Sequence, residues 1–267
     1  MELQSILHPA EPRKSYNAGS SYESGIIKED TRLLRRDTSI APFRYICRII
    51  IRFPDGRREG VGTGFLIGRY TVLTAGHVIW DEAANGPFAT GRIKVIPGLN
   101  GTQKPFGEYA VSSTIMSHAS FSKSDFVTFK DYAIVHLSAP AGDKAGHFNT
   151  KVSRIDPVGS SILSKSLPLP AGTLTVNLSG YPADKGGKLQ YSSYNYTKAL
   201  EDKRKIITYL NDMYPGHSGS PIWVKRSPDM GGRVIVGINV GFYNDSSRNI
   251  GVLITDEVRS FLKAHVL

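Results

Sequence analysis

The sequence predicts an all-β fold, either one large domain or two fused barrels, with a helix at the C-terminal end. Three observations carry this reading. Short runs rich in β-branched and aromatic residues recur along the chain. Its 27 glycines and 15 prolines punctuate those runs as turns between short strands would. The final stretch, Asp256 to His265, places Val258, Phe261 and Leu262 at helical spacing behind Thr255, a residue able to cap it. A chain of 267 residues, 40% of them hydrophobic and 21% charged, can bury a substantial core.

The elements follow in order. Residues 1–24 are polar and rich in glycine and serine, with Pro9 and Pro12, and read as a leader or loosely packed arm. Phe43 to Phe53 is a strand, followed by a turn at Pro54-Asp55-Gly56. Gly62–Ile67 and Tyr70–Thr74 form a hairpin around Gly68-Arg69. Ile93–Pro97, Tyr109–Met116 and Tyr132–Leu137 continue the first half. Ser138 to Pro170 is loop-rich and carries the crossover. Further strands are expected at Leu174–Ser179, Leu189–Tyr196, Lys205–Tyr209, Ser220–Lys225, Arg233–Val240 and Gly251–Ile254. No internal sequence repeat is evident.

Three short blocks carry chemistry. Gly216-His217-Ser218-Gly219-Ser220-Pro221 sets a serine between glycines, as a nucleophile on a tight turn requires. Gly216 lets backbone approach a substrate carbonyl, and the amides of Gly216 and Ser218 can address one oxygen as an oxyanion hole. Upstream lie Leu73-Thr74-Ala75-Gly76-His77-Val78 and Lys130-Asp131-Tyr132-Ala133-Ile134-Val135. A serine hydroxyl attacks poorly until an imidazole takes its proton, and that imidazole needs a carboxylate to fix its tautomer. His77, Asp131 and Ser218 are far apart in sequence and can meet only by tertiary folding. Asp125 is a rival to Asp131, and Ser220 to Ser218. Asp131 precedes an apolar strand that can bury its carboxylate, and only Ser218 has the required flanking glycines.

These blocks resemble the catalytic segments of chymotrypsin-like serine proteases, and more narrowly the bacterial glutamyl endopeptidase branch. Gly98-Leu99-Asn100-Gly101-Thr102, Leu137-Ser138-Ala139-Pro140, Ser179-Gly180-Tyr181-Pro182 and the run from Gly237 to Leu262 resemble that branch too. The resemblance spans roughly residues 24 to 264. It implies two six-stranded antiparallel Greek-key barrels, one over about 40–140 and the other over about 170–267, and a trypsin-like protease domain over 25–267. It implies His77 as base, Asp131 as its partner and Ser218 as nucleophile. It also implies a pro-segment, with a mature chain beginning near Ser24-Gly25-Ile26-Ile27. The expected reaction is peptide-bond hydrolysis through an acyl-enzyme, with no cofactor.

The resemblance places the substrate pocket at Asn211–Pro215 and Ile238–Phe242. Val240, Gly241 and Phe242 are expected to pair with substrate backbone as an added strand. Asp212 stands where trypsin-like enzymes hold the aspartate that pairs with substrate Lys or Arg, although the glutamyl branch often carries an aspartate there as well. That branch binds the substrate carboxylate with a histidine and a small hydroxyl residue. The matching positions here are Asn239 and Met213, two departures that weaken a glutamate preference. Glutamyl, basic and medium apolar or polar preferences all stay open.

The remaining features set bounds. The net charge of +10 comes from scattered lysines and arginines with no long basic run, so nucleic acid is not an expected partner. No paired His, Cys and carboxylate spacing suggests a metal site. The single cysteine, Cys47, permits no intrachain disulfide and lies in an apolar run. No apolar run approaches about 20 residues, so no membrane span is expected. Met1 to Lys14 lacks the apolar core of a secretory signal, which leaves the compartment open. The expected partners are peptide or protein substrates of a monomer. Two competing readings remain: a non-catalytic binding protein on the same scaffold, which a complete triad argues against, and an intracellular processing protease with a single partner.

Overall fold

The computed structural model describes residues 3–4, 25–148, 174–201, 205–225, 232–243 and 247–267. Its elements in chain order are β1 (Leu3–Gln4), β2 (Leu33–Leu34), β3 (Ile46–Arg52), β4 (Glu59–Leu66), β5 (Thr71–Thr74), β6 (Trp80–Asp81), β7 (Gly86–Pro87), β8 (Ile93–Pro97), β9 (Tyr109–Met116), β10 (Ala133–Leu137), α1 (Ala141–Ala145), β11 (Thr175–Gly180), β12 (Tyr191–Glu201), β13 (Ile206–Tyr209), β14 (Pro221–Lys225), β15 (Arg233–Tyr243), β16 (Asn249–Leu253) and α2 (Asp256–His265).

Six antiparallel strands close the first barrel in the order β10-β5-β4-β3-β8-β9. The second runs β15-β14-β11-β12-β13-β16, and β16 pairs back onto β15 to close it. The two halves share one connectivity. Three consecutive strands lie side by side in each (β3-β4-β5 and β11-β12-β13), and the fourth returns beside the first (β8 on β3, β14 on β11), a Greek-key path. The common architecture therefore stands without a sequence repeat. Closure gives every barrel strand a neighbour on both sides, and β15 runs on past its pairing with β14, which ends at Ile238. Outside the barrels, among the described residues, β2 pairs with β12, β1 with β15, and β6 with β7.

The strands of each barrel bury their apolar side chains. Ile49, Phe65, Leu73, Val95 and Ile134 are buried in the first, and Val176, Leu178, Ile207, Ile222 and Val236 in the second. Cys47 is fully buried, and burial pushes its thiol well above the usual range, which suits a small core residue. Helix α2 is capped by Thr255, whose Oγ1 accepts from the Val258 amide at 3.4 Å. Val258 and Leu262 are buried with the first barrel's core, and Phe261 meets the Tyr132 ring edge-on at 5.2 Å. The chain end then ties to barrel one: Tyr70 N donates to Leu267 O and Leu267 N to Thr71 Oγ1. A helix from the second half thus clips onto the first.

Several boundaries differ from those the sequence suggests. β15 runs on through Tyr243, β4 begins at Glu59, and Phe43–Tyr45 is a 3-10 turn before β3. β16 begins at Asn249, because its pairing with β13 and β15 recruits two residues that carry no strand pattern. Of the expected crossover, Ala141–Ala145 is a short helix, and residues 149–173 lie outside the described residues. Except for β1, so does the leader. Among the described residues, no helix is long and apolar enough to cross a membrane.

Candidate active site

His77 lies in a 3-10 turn, Gly76–Ile79, immediately after β5. Gly76 is required there: a side chain would run into the Phe121 ring and approach Asp131 Oδ1. His77 Nδ1 donates to Asp131 Oδ2 at 2.7 Å, and its backbone amide donates to Asp131 Oδ1 at 2.9 Å. Both side chains are fully buried. A third donor, the Val127 amide, reaches Asp131 Oδ2 at 2.7 Å. Val127 has φ = 56°, a left-handed conformation costly for a β-branched residue, and this is the backbone that aims its amide at the carboxylate. With Nδ1 donating, Nε2 is the accepting nitrogen, and it has no hydrogen-bond partner among the described residues. The pair is therefore fixed in tautomer and orientation.

Asp125, the rival carboxylate, is engaged elsewhere. It accepts from Ser122 N in a capping box and lies 3.6 Å from His118. Ser220 is fully buried behind the turn.

Ser218 stands on the turn between β13 and β14, and one residue holds that turn against the first barrel. Thr63 of β4 donates its backbone amide to Ser218 O at 2.9 Å and its hydroxyl to Gly216 O at 2.6 Å. The same hydroxyl accepts from Tyr181 N at 3.0 Å. Gly219 (φ = 83°) fits so closely that an added Cβ would lie 2.0 Å from Thr63 O and 3.0 Å from Ala75 N, two residues before His77. Gly216 (φ = 100°) abuts Tyr181 O in the same way. Neither the Gly216 nor the Ser218 amide has an acceptor among the described residues. No hydrogen bond joins Ser218 Oγ to His77. Thr63 is the contributor that sequence reasoning missed; its one local sign was a threonine inside the glycine-rich run Gly60-Val61-Gly62-Thr63-Gly64.

His217, adjoining Ser218, is not a second base. It is fully buried, and burial, reinforced by the Arg32 guanidinium, lowers its pKa to about 3, so it is neutral near pH 7.

The three pocket residues singled out in the sequence are occupied within the fold. Asp212 is buried and accepts from the Ile27 amide at 2.7 Å and the Thr31 amide at 2.8 Å, with the Thr31 hydroxyl on the same oxygen. Met213 is buried in the second barrel's core, and its amide donates to Gly25 O. Asn239 is fully buried, donating Nδ2 to His217 O at 2.9 Å and accepting from the Tyr209 hydroxyl. The segment from Gly25 to Arg32 is thus laced to the loop before Ser218. Arg32 completes the lacing: its buried guanidinium pairs with Asp30 and Asp184 and lies 5.9 Å from the Tyr214 ring centre. Its proximity holds the Asp30 carboxyl well below the usual carboxylate range.

On β15, Val240 sits in a bulge between Asn239 and Gly241, and Gly241 and Phe242 follow it. β1 pairs there, Gln4 opposite Phe242 and Leu3 opposite Tyr243.

Known proteins that this chain resembles include proteases. A family model described as Trypsin matches residues 44–262. The glutamyl endopeptidase of Bacillus licheniformis is 35% identical over 93% of this chain and 71% of its own length. A Bacillus subtilis protein named extracellular metalloprotease is 27% identical over 88% of the chain and 67% of its own length. A solved structure of a Glu endopeptidase superposes with a TM-score of 0.70 at 23% identity, covering 90% of this chain and all of that one. Protease Anisep from Arthrobacter nicotinovorans superposes at 0.64 with 17% identity, over 88% of this chain and 98% of its own. These last two likenesses concern the fold.

Proposed function

The chain belongs to the trypsin family of serine endopeptidases, and on that footing we propose that Ser218, His77 and Asp131 hydrolyse peptide bonds through an acyl-enzyme. The carrying observation is the buried His77–Asp131 pair, which leaves Nε2 uncommitted beside a nucleophile turn clamped by Thr63. Ser218 Oγ attacks the substrate carbonyl carbon as its proton passes to Nε2. The oxyanion that forms is met by the amides of Gly216 and Ser218, each such donor being worth roughly 3–4 kcal/mol in the transition state. The carbon–nitrogen bond then breaks as His77 returns the proton to the departing amine. Water, deprotonated by the same imidazole, releases the acid and restores Ser218. Asp131 stays ionised throughout and stabilises the imidazolium. The absence of a Ser218–His77 hydrogen bond suits this sequence, because such bonds often form only once substrate is bound.

Substrates are peptides or proteins. We read Val240–Phe242 as the edge that receives their backbone. We assign Asp212 to anchoring the Gly25–Arg32 segment, since three donors already occupy both oxygens of its carboxylate. An aspartate so engaged does not select Lys or Arg. The relative's name makes glutamate the first preference to test, against the Asn239 and Met213 departures.

Ser218→Ala should abolish hydrolysis and labelling by a fluorophosphonate probe while leaving the thermal midpoint close to wild type. Retained activity would remove the nucleophile assignment. A peptide-library profile reads the preference directly, and dominant cleavage after Lys or Arg would overturn the role given to Asp212.

A further inference from the structure

Asn239 occupies the place where the resemblance expects a substrate-binding side chain, yet its contacts face the nucleophile turn. It touches that turn three times. Nδ2 donates to His217 O, the carbonyl of the peptide that carries the Ser218 amide, at 2.9 Å. Its backbone carbonyl accepts from Gly219 N at 2.8 Å, and its backbone amide donates to Ser220 O at 2.9 Å. The residues before, after and two after the nucleophile-bearing peptide are thereby fixed to one position on β15.

The side chain's orientation is set as well. The His217 carbonyl can only accept, so Nδ2 must face it, and Oδ1 is left to accept from the Tyr209 hydroxyl. Tyr209 is fully buried on β13 and its hydroxyl lies 3.3 Å from Ile250 O. A chain of polar contacts thus runs from the barrel-two strands β13 and β16, through Tyr209 and Asn239, to the peptide beside Ser218.

We propose that Asn239, held by Tyr209, is a positioning residue that fixes the Ser218 amide for the oxyanion and does not read the substrate side chain. The proposal rests on Ser218 being the nucleophile. A carbonyl tethered at His217 O leaves the Ser218 N–H, on the other side of the same peptide plane, aimed outward. Release of that tether frees the peptide to rotate, and a displacement of about 1 Å at a reacting group can lower rates about 100-fold.

Asn239→Asp keeps shape and the acceptor for Tyr209 but replaces the donor facing His217 O by a second acceptor. Two readouts are taken: the labelling rate with a fluorophosphonate that carries no peptide, and kcat/KM for substrates with Glu, Gln, Leu and Lys before the scissile bond. Peptide mapping of the labelled site is the control. The expected result is labelling at Ser218 slowed roughly 10- to 100-fold, and kcat/KM reduced by the same factor for all four substrates, with the fall in kcat and not KM. Unchanged labelling with a loss confined to one substrate would overturn the proposal and return Asn239 to the pocket. Label at any residue other than Ser218 would instead overturn the nucleophile assignment on which it rests. Tyr209→Phe retains every turn contact and frees only the amide's orientation; it should show the same uniform loss, smaller in size. If Asn239→Asp does not fold, this second variant decides the matter, since wild-type labelling by it would refute the positioning chain.

Discussion

Thr63 shows how one short side chain can join two barrels and hold the turn that carries Ser218. Its hydroxyl donates to Gly216 and accepts from Tyr181, while its amide holds Ser218 O. Thr63→Val preserves shape but leaves a buried carbonyl and a buried N–H without partners, each worth about 1–3 kcal/mol. Unfolding in urea should show a loss of roughly 2 kcal/mol, together with at least a tenfold fall in kcat. His217 adds a pH signature. Its pKa is lowered from 6.5 to about 3 by burial, so between these values the unfolded chain binds the extra proton. Stability therefore rises with pH across this window and is lost as pH falls from about 6.5 toward 3. His217→Gln should flatten the dependence of the thermal midpoint on pH there; an unaltered slope would contradict the neutral, buried assignment.

At the scale of elements, β15 serves three ends. Its pairings with β14 and β16 close barrel two, Asn239 engages the turn that carries Ser218, and the stretch after the bulge offers the edge read as the substrate's. β1 pairs with that edge at Phe242 and Tyr243, so a substrate strand extending there must displace it. A chain beginning at Ser24 should accordingly cleave peptides with a lower KM than the 267-residue chain, measured on one substrate at matched active-site concentration. N-terminal sequencing of active protein gives the complementary check, since full activity with Met1 intact would rule out removal of the leader as activation.

For the whole molecule, the barrels are tied by contacts distant in sequence. α2 and Leu267 return to barrel one, and the Gly25–Arg32 segment laces onto the loop before Ser218. Arg32 is the fastening of this second tie, its guanidinium buried between Asp30 and Asp184. Arg32→Gln removes the buried cation, leaving Asp184 without its partner while Asp30 keeps Lys185 at 3.3 Å; with both carboxylates partly exposed, the expected loss is about 1 kcal/mol or more. Chemical denaturation should register that loss, and activity should fall with it as Tyr214 and Asp212 lose their packing. Wild-type stability would mean the ion pair contributes nothing beyond its solvated alternatives.

The residues themselves determined the all-β class, most strand positions, the helix behind Thr255 and the ordered His, Asp and Ser blocks. These are properties of local pattern: strand alternation, glycine-bounded turns and an apolar stretch behind a carboxylate are written within a few residues. What Asp212, Asn239 and Thr63 touch was decided only by folding. Asp212 stands at the position where trypsin-like enzymes hold a cation-selecting aspartate, and position alone left that role open; its donors, Ile27 and Thr31, lie at the other end of the chain. Asn239 and Thr63 likewise find His217 and Gly216 across the interior. A polar side chain's role depends on which partners reach it in the absence of water, and that choice belongs to the closed barrels and not to the neighbourhood in which the residue is spelled.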